Sequence, residues 1–368
     1  MDKPWFRISN VAQVPSPALL IYPGRVQRNI ERALQIAGDA SRFRPHIKTH
    51  KCAEIVRMHL AAGICKFKCA TIAEAEMAAK AGAEDILIAS PLAGPNLGRF
   101  QKLREIFPDT LFATICDNAV TARALHSIGE SSGTPVPVLL DIDCGMGRTG
   151  LVPDALAFEL YRNLSRLPGL RPAGLHIYDG HIHDPDLLAR ERLCREAFAP
   201  VADFIKRLGK AGLPVPTVVA GGTPTFPIIA RRTKYECSPG TYVFWDFGYQ
   251  KFGDLDFSLA ALVLTRVISK PGANRLCLDL GHKAIAAENP QPRAQFLNLP
   301  DVTPVMHSEE HLVLETPAAA ECAIGDALYC VPRHICPTVA LYDLAYPVEK
   351  GRAGQPWKIE ARKRRITI

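Results

Sequence analysis

With 368 residues, 48% hydrophobic and 22% charged, the chain is too apolar to be disordered and long enough for more than one core. Its formal charge of +7 is modest, and the basic cluster Arg362-Lys363-Arg364-Arg365 has no interleaved aromatics, which argues against nucleic acid and suits anionic small molecules. No apolar run is long enough for a bilayer, the N-terminus shows no signal pattern, and the 11 cysteines lack framework spacing; a cytoplasmic protein with reduced thiols and no membrane partner is expected.

Residues 16–22 read as a short apolar strand ended by Pro23-Gly24, and 26–37 as an amphipathic helix. Phe43 to Ile47 reads as a strand running into the loop Lys48-Thr49-His50-Lys51. Helices follow at 52–62, 73–81, 94–106, 119–128, 153–164 and 186–209, alternating with strands at 66–70, 85–90, 111–116, 137–144, 173–178 and 216–220. A last helix over 223–231 is indistinct. Eight strand–helix alternations in roughly 220 residues predict an α/β chain built on a (β/α)₈ TIM-type barrel. From residue 254 helical periodicity ends, and 259–269, 275–280, 311–314, 327–331 and 357–362 read as strands; 289–302 reads as a surface loop. The expected domains are a barrel over 16–250 and a C-terminal β-rich domain, 251–368, that includes the N-terminal residues 1–15.

Side chains alternate along a strand. Phe43 and Ile47 share one parity; Arg44, His46 and Lys48 share the other, and all three can carry charge. A parallel strand buried on both faces should be apolar throughout, so a polar parity ending in lysine places an amine at the C-terminal end, where such barrels do their chemistry. A partly desolvated amine among cations loses its proton more readily and can form a Schiff base. Gly221-Gly222-Thr223 and Ser238-Pro239-Gly240-Thr241 follow later strands, where backbone amides can approach a phosphate. Arg148, after Asp143-Cys144-Gly145-Met146-Gly147, can donate to an anionic oxygen. In an extended Arg333-His334-Ile335-Cys336-Pro337, His334 and Cys336 would face the same way and could share a divalent ion, Zn²⁺ most readily and Mn²⁺ as the alternative. His59, His126 and His307 read as ordinary core or surface residues.

The run Arg44-Pro45-His46-Ile47-Lys48-Thr49-His50-Lys51 resembles the signature of the fold-type III pyridoxal-phosphate enzymes in the D-threonine aldolase and D-serine dehydratase family, which share an alanine racemase-like barrel. Asp143…Gly147-Arg148-Thr149-Gly150, Tyr178-Asp179-Gly180-His181, Gly221-Gly222-Thr223, Ser238-Pro239-Gly240-Thr241-Tyr242 and His334-x-Cys336 have counterparts in the same order. The resemblance implies that Lys48 carries pyridoxal 5′-phosphate and that Arg148 meets its phenolic oxygen. Gly221, Gly222, Thr223, Gly240 and Thr241 would cradle its phosphate, and Tyr178 would lie near the pyridine ring. His334 and Cys336 would hold a divalent metal, Zn²⁺, Mn²⁺ or Mg²⁺, that takes the substrate's β-hydroxyl. Ser238 corresponds to the arginine that racemases set against the pyridine nitrogen, so racemisation is not implied.

The implied reaction is cleavage of a D-3-hydroxy amino acid to glycine and an aldehyde, with His181, His183 or a metal-held water as base. A dehydratase acting on D-serine or 3-hydroxyaspartate, giving a 2-oxo acid and ammonia, uses the same residues. A non-catalytic carrier of pyridoxal phosphate is a third reading, disfavoured by His334 and Cys336. The resemblance also implies a homodimer.

Overall fold

The computed structural model describes residues 4–368, and within it the chain divides into two compact units. One comprises Arg32–Lys48, Ala53–Gly240 and Lys363–Ile368; the other comprises the described residues through Glu31, Thr49–Cys52 and Thr241–Arg362. Of the N-terminal residues assigned above to the β-rich domain, 1–3 lie outside the described residues. No helix among the described residues is long and apolar enough to cross a membrane, and all the cysteines are free.

The chain begins with strand β1 (Ala18–Ile21) and helix α1 (Pro23–Ala37). The first unit then alternates α2 (Ala53–Ala61), β2 (Lys66–Cys69), α3 (Ile72–Lys80), β3 (Asp85–Ile88), α4 (Pro95–Ile106), β4 (Leu111–Cys116), α5 (Ala119–Ser132) and β5 (Val136–Ile142). It continues with α6 (Ala155–Leu164), β6 (Leu170–Ile177), α7 (Leu187–Lys210), β7 (Thr217–Ala220), α8 (Phe226–Arg232) and β8 (Glu236–Cys237). Capping side chains fix where several helices start: Thr71, Asn118, Asp154 and Asp186 each accept a first-turn N–H. The seven strands form one curled parallel sheet in sequence order, β2 to β8. The eighth position of the ring is the segment 43–46, joined to the sheet's two ends by parallel bridges, Phe43 to Cys237 and His46 to Lys68.

This corrects the strand order expected from sequence. The segment 16–22 does not open the barrel: β1 pairs with strands of the other unit. The barrel's last strand, β8, has only two residues. Lys48 sits not on the strand but on the single 3₁₀ turn Ile47–Thr49 beyond it.

Inside the barrel, Leu87, Ala113, Ile115, Leu139 and Val219 form an apolar layer. The interior turns polar toward the strands' C-terminal ends, where Lys68, Asp141 and His176 are buried. Arg44 stays inside as its parity predicts, and its charge is matched: Nε meets Glu236 Oε2 (2.6 Å), while Nη1 and Nη2 meet Asp85 Oδ1 and Oδ2 (2.7 and 2.9 Å). Lys66 Nζ takes the other Glu236 oxygen (2.5 Å). This network ties the weakly bridged segment 43–46 to β3 and β8. Arg44→Met leaves two carboxylates short of a partner, and we expect a loss of about 3–5 kcal/mol in the free energy of urea unfolding.

The second unit is a sheet of ten strands, mostly antiparallel. Besides β1 it contains β9 (Ala261–Gly272), β10 (Arg275–Leu278), β11 (Ala294–Phe296), β12 (Thr303–His307), β13 (Leu312–Glu315), β14 (Ala327–Pro332), β15 (Leu344–Glu349), β16 (Arg352–Ala353) and β17 (Trp357–Lys358). Its order is β12-β13-β10-β9-β1-β15-β16, with β14 pairing β9 and β11, and β17 pairing β15. Alternation along β9 supplies two cores: Val263 and Val267 pack with Leu276, Leu278, Leu314 and Phe296, while Leu262 and Leu264 pack with Phe6, Tyr22 and Tyr329. The expected loop 289–302 contains β11, which pairs with β14.

Candidate active site

In the barrel unit three basic groups surround one aromatic ring. Lys48 Nζ lies 5.6 Å, Lys68 Nζ 6.0 Å and the Arg148 guanidinium carbon 4.6 Å from the centroid of the Tyr178 ring. Gly180 sets the ring's position, since a Cβ there would lie 2.4–2.6 Å from Tyr178 ring and hydroxyl atoms. Among the described residues, none of the three cationic heads has a hydrogen bond or ion pair. The neighbouring carboxylates are committed elsewhere. Asp141 holds His176 Nδ1 (2.7 Å) and accepts from Thr149 Oγ1 (2.8 Å). Asp179 accepts from the Gly222 N–H (2.9 Å) and Thr225 Oγ1 (2.6 Å).

Converging cations without anionic partners fit a polyanionic ligand, and one of them is an amine that can bond to an aldehyde carbon. Pyridoxal phosphate carries both a phosphate and a phenolic oxygen beside its aldehyde, so these residues fit that group. Gly221, at φ 82°, and Gly222 turn the chain after β7 as expected. The Gly222 amide is engaged by Asp179, and the Gly240 N–H donates to Thr223 Oγ1 (3.2 Å), so neither is an idle donor. Thr241 belongs to the other unit, where its hydroxyl lies 3.6 Å from Cys336 Sγ. His181 Nδ1 is buried without a hydrogen-bond partner, and its Nε2 faces Gly145. His183 is exposed.

The second unit builds its own cluster around His334 and Cys336. The sequence reading took this segment as extended, but His334 caps helix α9 (Ile335–Val339) and Cys336 lies in its first turn. A proline is tolerated there because first-turn N–H groups have no helical partner. His334 Nδ1 meets Glu288 Oε1 (2.6 Å), which leaves Nε2 as the nitrogen for another partner. Cys336 Sγ lies 3.1 Å from Thr49 Oγ1.

The buried Asp246 accepts the N–H of Ile335 (2.9 Å), between the two residues, and that of Tyr249 (3.0 Å). Gly248 lets this loop close on the turn, since a Cβ there would lie 2.4 Å from the Arg333 carbonyl oxygen. Trp245 is held at φ 53°, a conformation that costs a bulky residue about 1–3 kcal/mol and marks a constrained segment. Imidazole and thiolate suit a divalent ion of the zinc type. Among the described residues no cluster of three or more His, Cys, Asp or Glu side chains is poised for a metal. An ion held by His334 and Cys336 would keep positions for water or a substrate oxygen.

Residues 21–246 match the family model described as "Alanine racemase, N-terminal domain", and residues 260–348 match "Putative serine dehydratase domain". D-threonine aldolase from Arthrobacter sp is 32% identical, the match covering 96% of this chain and 94% of that one. The chain belongs to the D-threonine aldolase and D-serine dehydratase family of pyridoxal-phosphate-dependent lyases. Among solved members, D-threonine aldolase from Filomicrobium marinum superposes with a TM-score of 0.88 at 28% identity, covering 96% of this chain and 97% of that one. D-threo-3-hydroxyaspartate dehydratase from Delftia sp. HT23 superposes with a TM-score of 0.82 at 26% identity, covering 94% and 97%. A cysteine-to-alanine variant of that dehydratase has been solved in a metal-free form. The fold of this family is the curled parallel sheet with a separate antiparallel domain seen here.

Lys68, Asp246, Glu288 and His176 were not singled out in the sequence. Lys68 had a legible signal, a second lysine in the otherwise apolar end of the short strand KFKC. Glu288 had none, because it meets His334 across a separation of 46 residues.

Proposed function

We propose that this lyase cleaves D-3-hydroxy amino acids between Cα and Cβ to glycine and an aldehyde, using pyridoxal phosphate on Lys48 and a divalent ion on His334 and Cys336. The observation that carries it is the unpaired Lys48 amine beside Arg148 and Tyr178 at the barrel's C-terminal end. Similarity to the Arthrobacter D-threonine aldolase over nearly the whole chain supports an aldolase over a dehydratase.

When bound, the cofactor supplies an electron sink at Cα and the metal a Lewis acid for the β-hydroxyl. Lys48 would hold the cofactor through its amine, and that amine, when free, could hold a proton. Arg148 donates to an anionic oxygen. On this reading Gly221, Gly222, Thr223 and Gly240, with Thr241, would hold the phosphate, the glycines by close approach and the threonines through their hydroxyls. The Ser238 hydroxyl donates to the Arg44 carbonyl (2.8 Å), so a neutral group stands where racemases set an arginine, which disfavours racemisation. Glu288 fixes the His334 tautomer by engaging Nδ1, as carboxylates do for metal-binding histidines. His181, with its buried unpartnered Nδ1, is the stronger candidate than the exposed His183 for taking the hydroxyl proton. We read the enzyme as a cytoplasmic homodimer.

The test is turnover of D-threonine by protein loaded with pyridoxal phosphate and Mn²⁺ or Zn²⁺. Equimolar glycine and acetaldehyde are expected. Ammonia with 2-oxobutyrate overturns the aldolase in favour of the dehydratase, and no turnover of any D-3-hydroxy amino acid overturns both in favour of a carrier.

A further inference from the structure

Lys68 is a buried lysine to which the chemistry above gives no task. It lies on β2, beside the segment that leads to Lys48, and its N–H donates to the Pro45 carbonyl (2.9 Å). The residue is 2% exposed, yet its amine has neither hydrogen bond nor ion pair among the described residues. Burying an amine without a partner is costly, so an unpaired one in a barrel's interior calls for a ligand. Its head shares the Tyr178 ring with Lys48 and Arg148. The two carboxylates nearest in effect, Asp141 and Asp179, are held by His176 and Thr149 and by Gly222 and Thr225.

We propose that Lys68 is a third basic group of the barrel's anion site, its amine donating to an anionic oxygen of the cofactor held by Lys48. The proposal builds on the assignment of the cofactor to Lys48. Burial brings the Lys68 amine down to about 7; the charges of Lys48 and Arg44 push the same way, and Asp179 and Asp141 oppose them. Other ionisable groups close by are Arg148, His46, which bridges to Lys68, and His176, itself lowered by burial against the pull of Asp141. At pH 8 the amine is therefore mostly unprotonated in the empty site. An arriving anion favours the charged form, so binding draws a proton from solvent onto Lys68.

The probe is 4-deoxypyridoxine 5′-phosphate, which has the cofactor's phosphate and phenolic oxygen but no aldehyde and so needs no bond to Lys48. Its binding to full-length, cofactor-free protein is measured calorimetrically at pH 8 in two buffers of different ionisation heat, which gives the protons exchanged. Wild-type protein is expected to take up close to one proton more per bound probe than Lys68→Met, and Lys68→Met to bind about tenfold more weakly or worse. Lys68→Arg, always charged, should keep most of the affinity without the uptake, which a merely structural role for Lys68 does not predict. If the wild type binds the probe and Lys68→Met or Lys68→Arg matches it in proton count, this proposal falls while the cofactor site stands. If the wild type binds no probe, the cofactor site falls and this proposal with it.

Discussion

Lys48→Ala should fold normally, remain colourless when mixed with pyridoxal phosphate, and lose turnover of D-threonine by about 10⁴-fold or more. The fold should survive because the Lys48 side chain holds nothing in place: its amine has no hydrogen bond or ion pair among the described residues, and its nearest ring contact is 5.6 Å away. The activity should not survive because no other group duplicates the role. Arg148 cannot shed its proton, and Lys68 sits on β2, away from the turn that carries Lys48. Phosphate binding should persist in this variant, since the glycine turns and Arg148 are untouched. A colourless protein that still binds the cofactor's phosphate, measured by fluorescence titration, would separate loss of the covalent link from loss of the site.

His334→Ala and Cys336→Ala should each cut turnover by about 10³-fold, the several kcal/mol that a Lewis acid contributes to a developing oxyanion. Both variants should keep the yellow colour of bound cofactor. The turn that carries the two residues is held by others: Asp246 takes the Ile335 N–H, the Thr338 hydroxyl donates to the His334 carbonyl (2.8 Å), and Gly248 packs on Arg333. Because the two side chains act as one site, the double variant should be no slower than either single one. Added Mn²⁺ or Zn²⁺ should restore the chelator-treated wild type and none of the variants. A variant as active as the wild type after exhaustive chelation would remove the metal from the reaction.

The alternation of strands and helices was legible because several barrel helices carry a capping residue, Thr71, Asn118, Asp154 and Asp186, and strands such as β3, β5 and β7 are largely apolar runs. Lys48 stood out in the sequence because a polar parity, Arg44 and His46 before it, is unusual in a buried strand. What the sequence hid was partnership. Strand β1 is buried at all four positions, and an all-apolar strand reads the same in either sheet. Strand β8 is two residues long, too short for any period. Strand β11 lies in a stretch broken by prolines, so its pairing with β14 leaves no local trace. The His334-x-Cys336 spacing was read as a strand pair, and the local geometry differs from that reading. Two residues apart on a strand share a face, but here a helix cap turns the chain, and Asp246, 89 residues from Ile335, fixes the turn. Such long-range partners are what a single sequence shows least.

The most direct measurement is borohydride reduction of the yellow protein followed by peptide mass mapping. Covalent chemistry at one amine of the barrel predicts the reduced cofactor on Lys48 and on no other lysine. A label on Lys68, on any other lysine, or on none would contradict it.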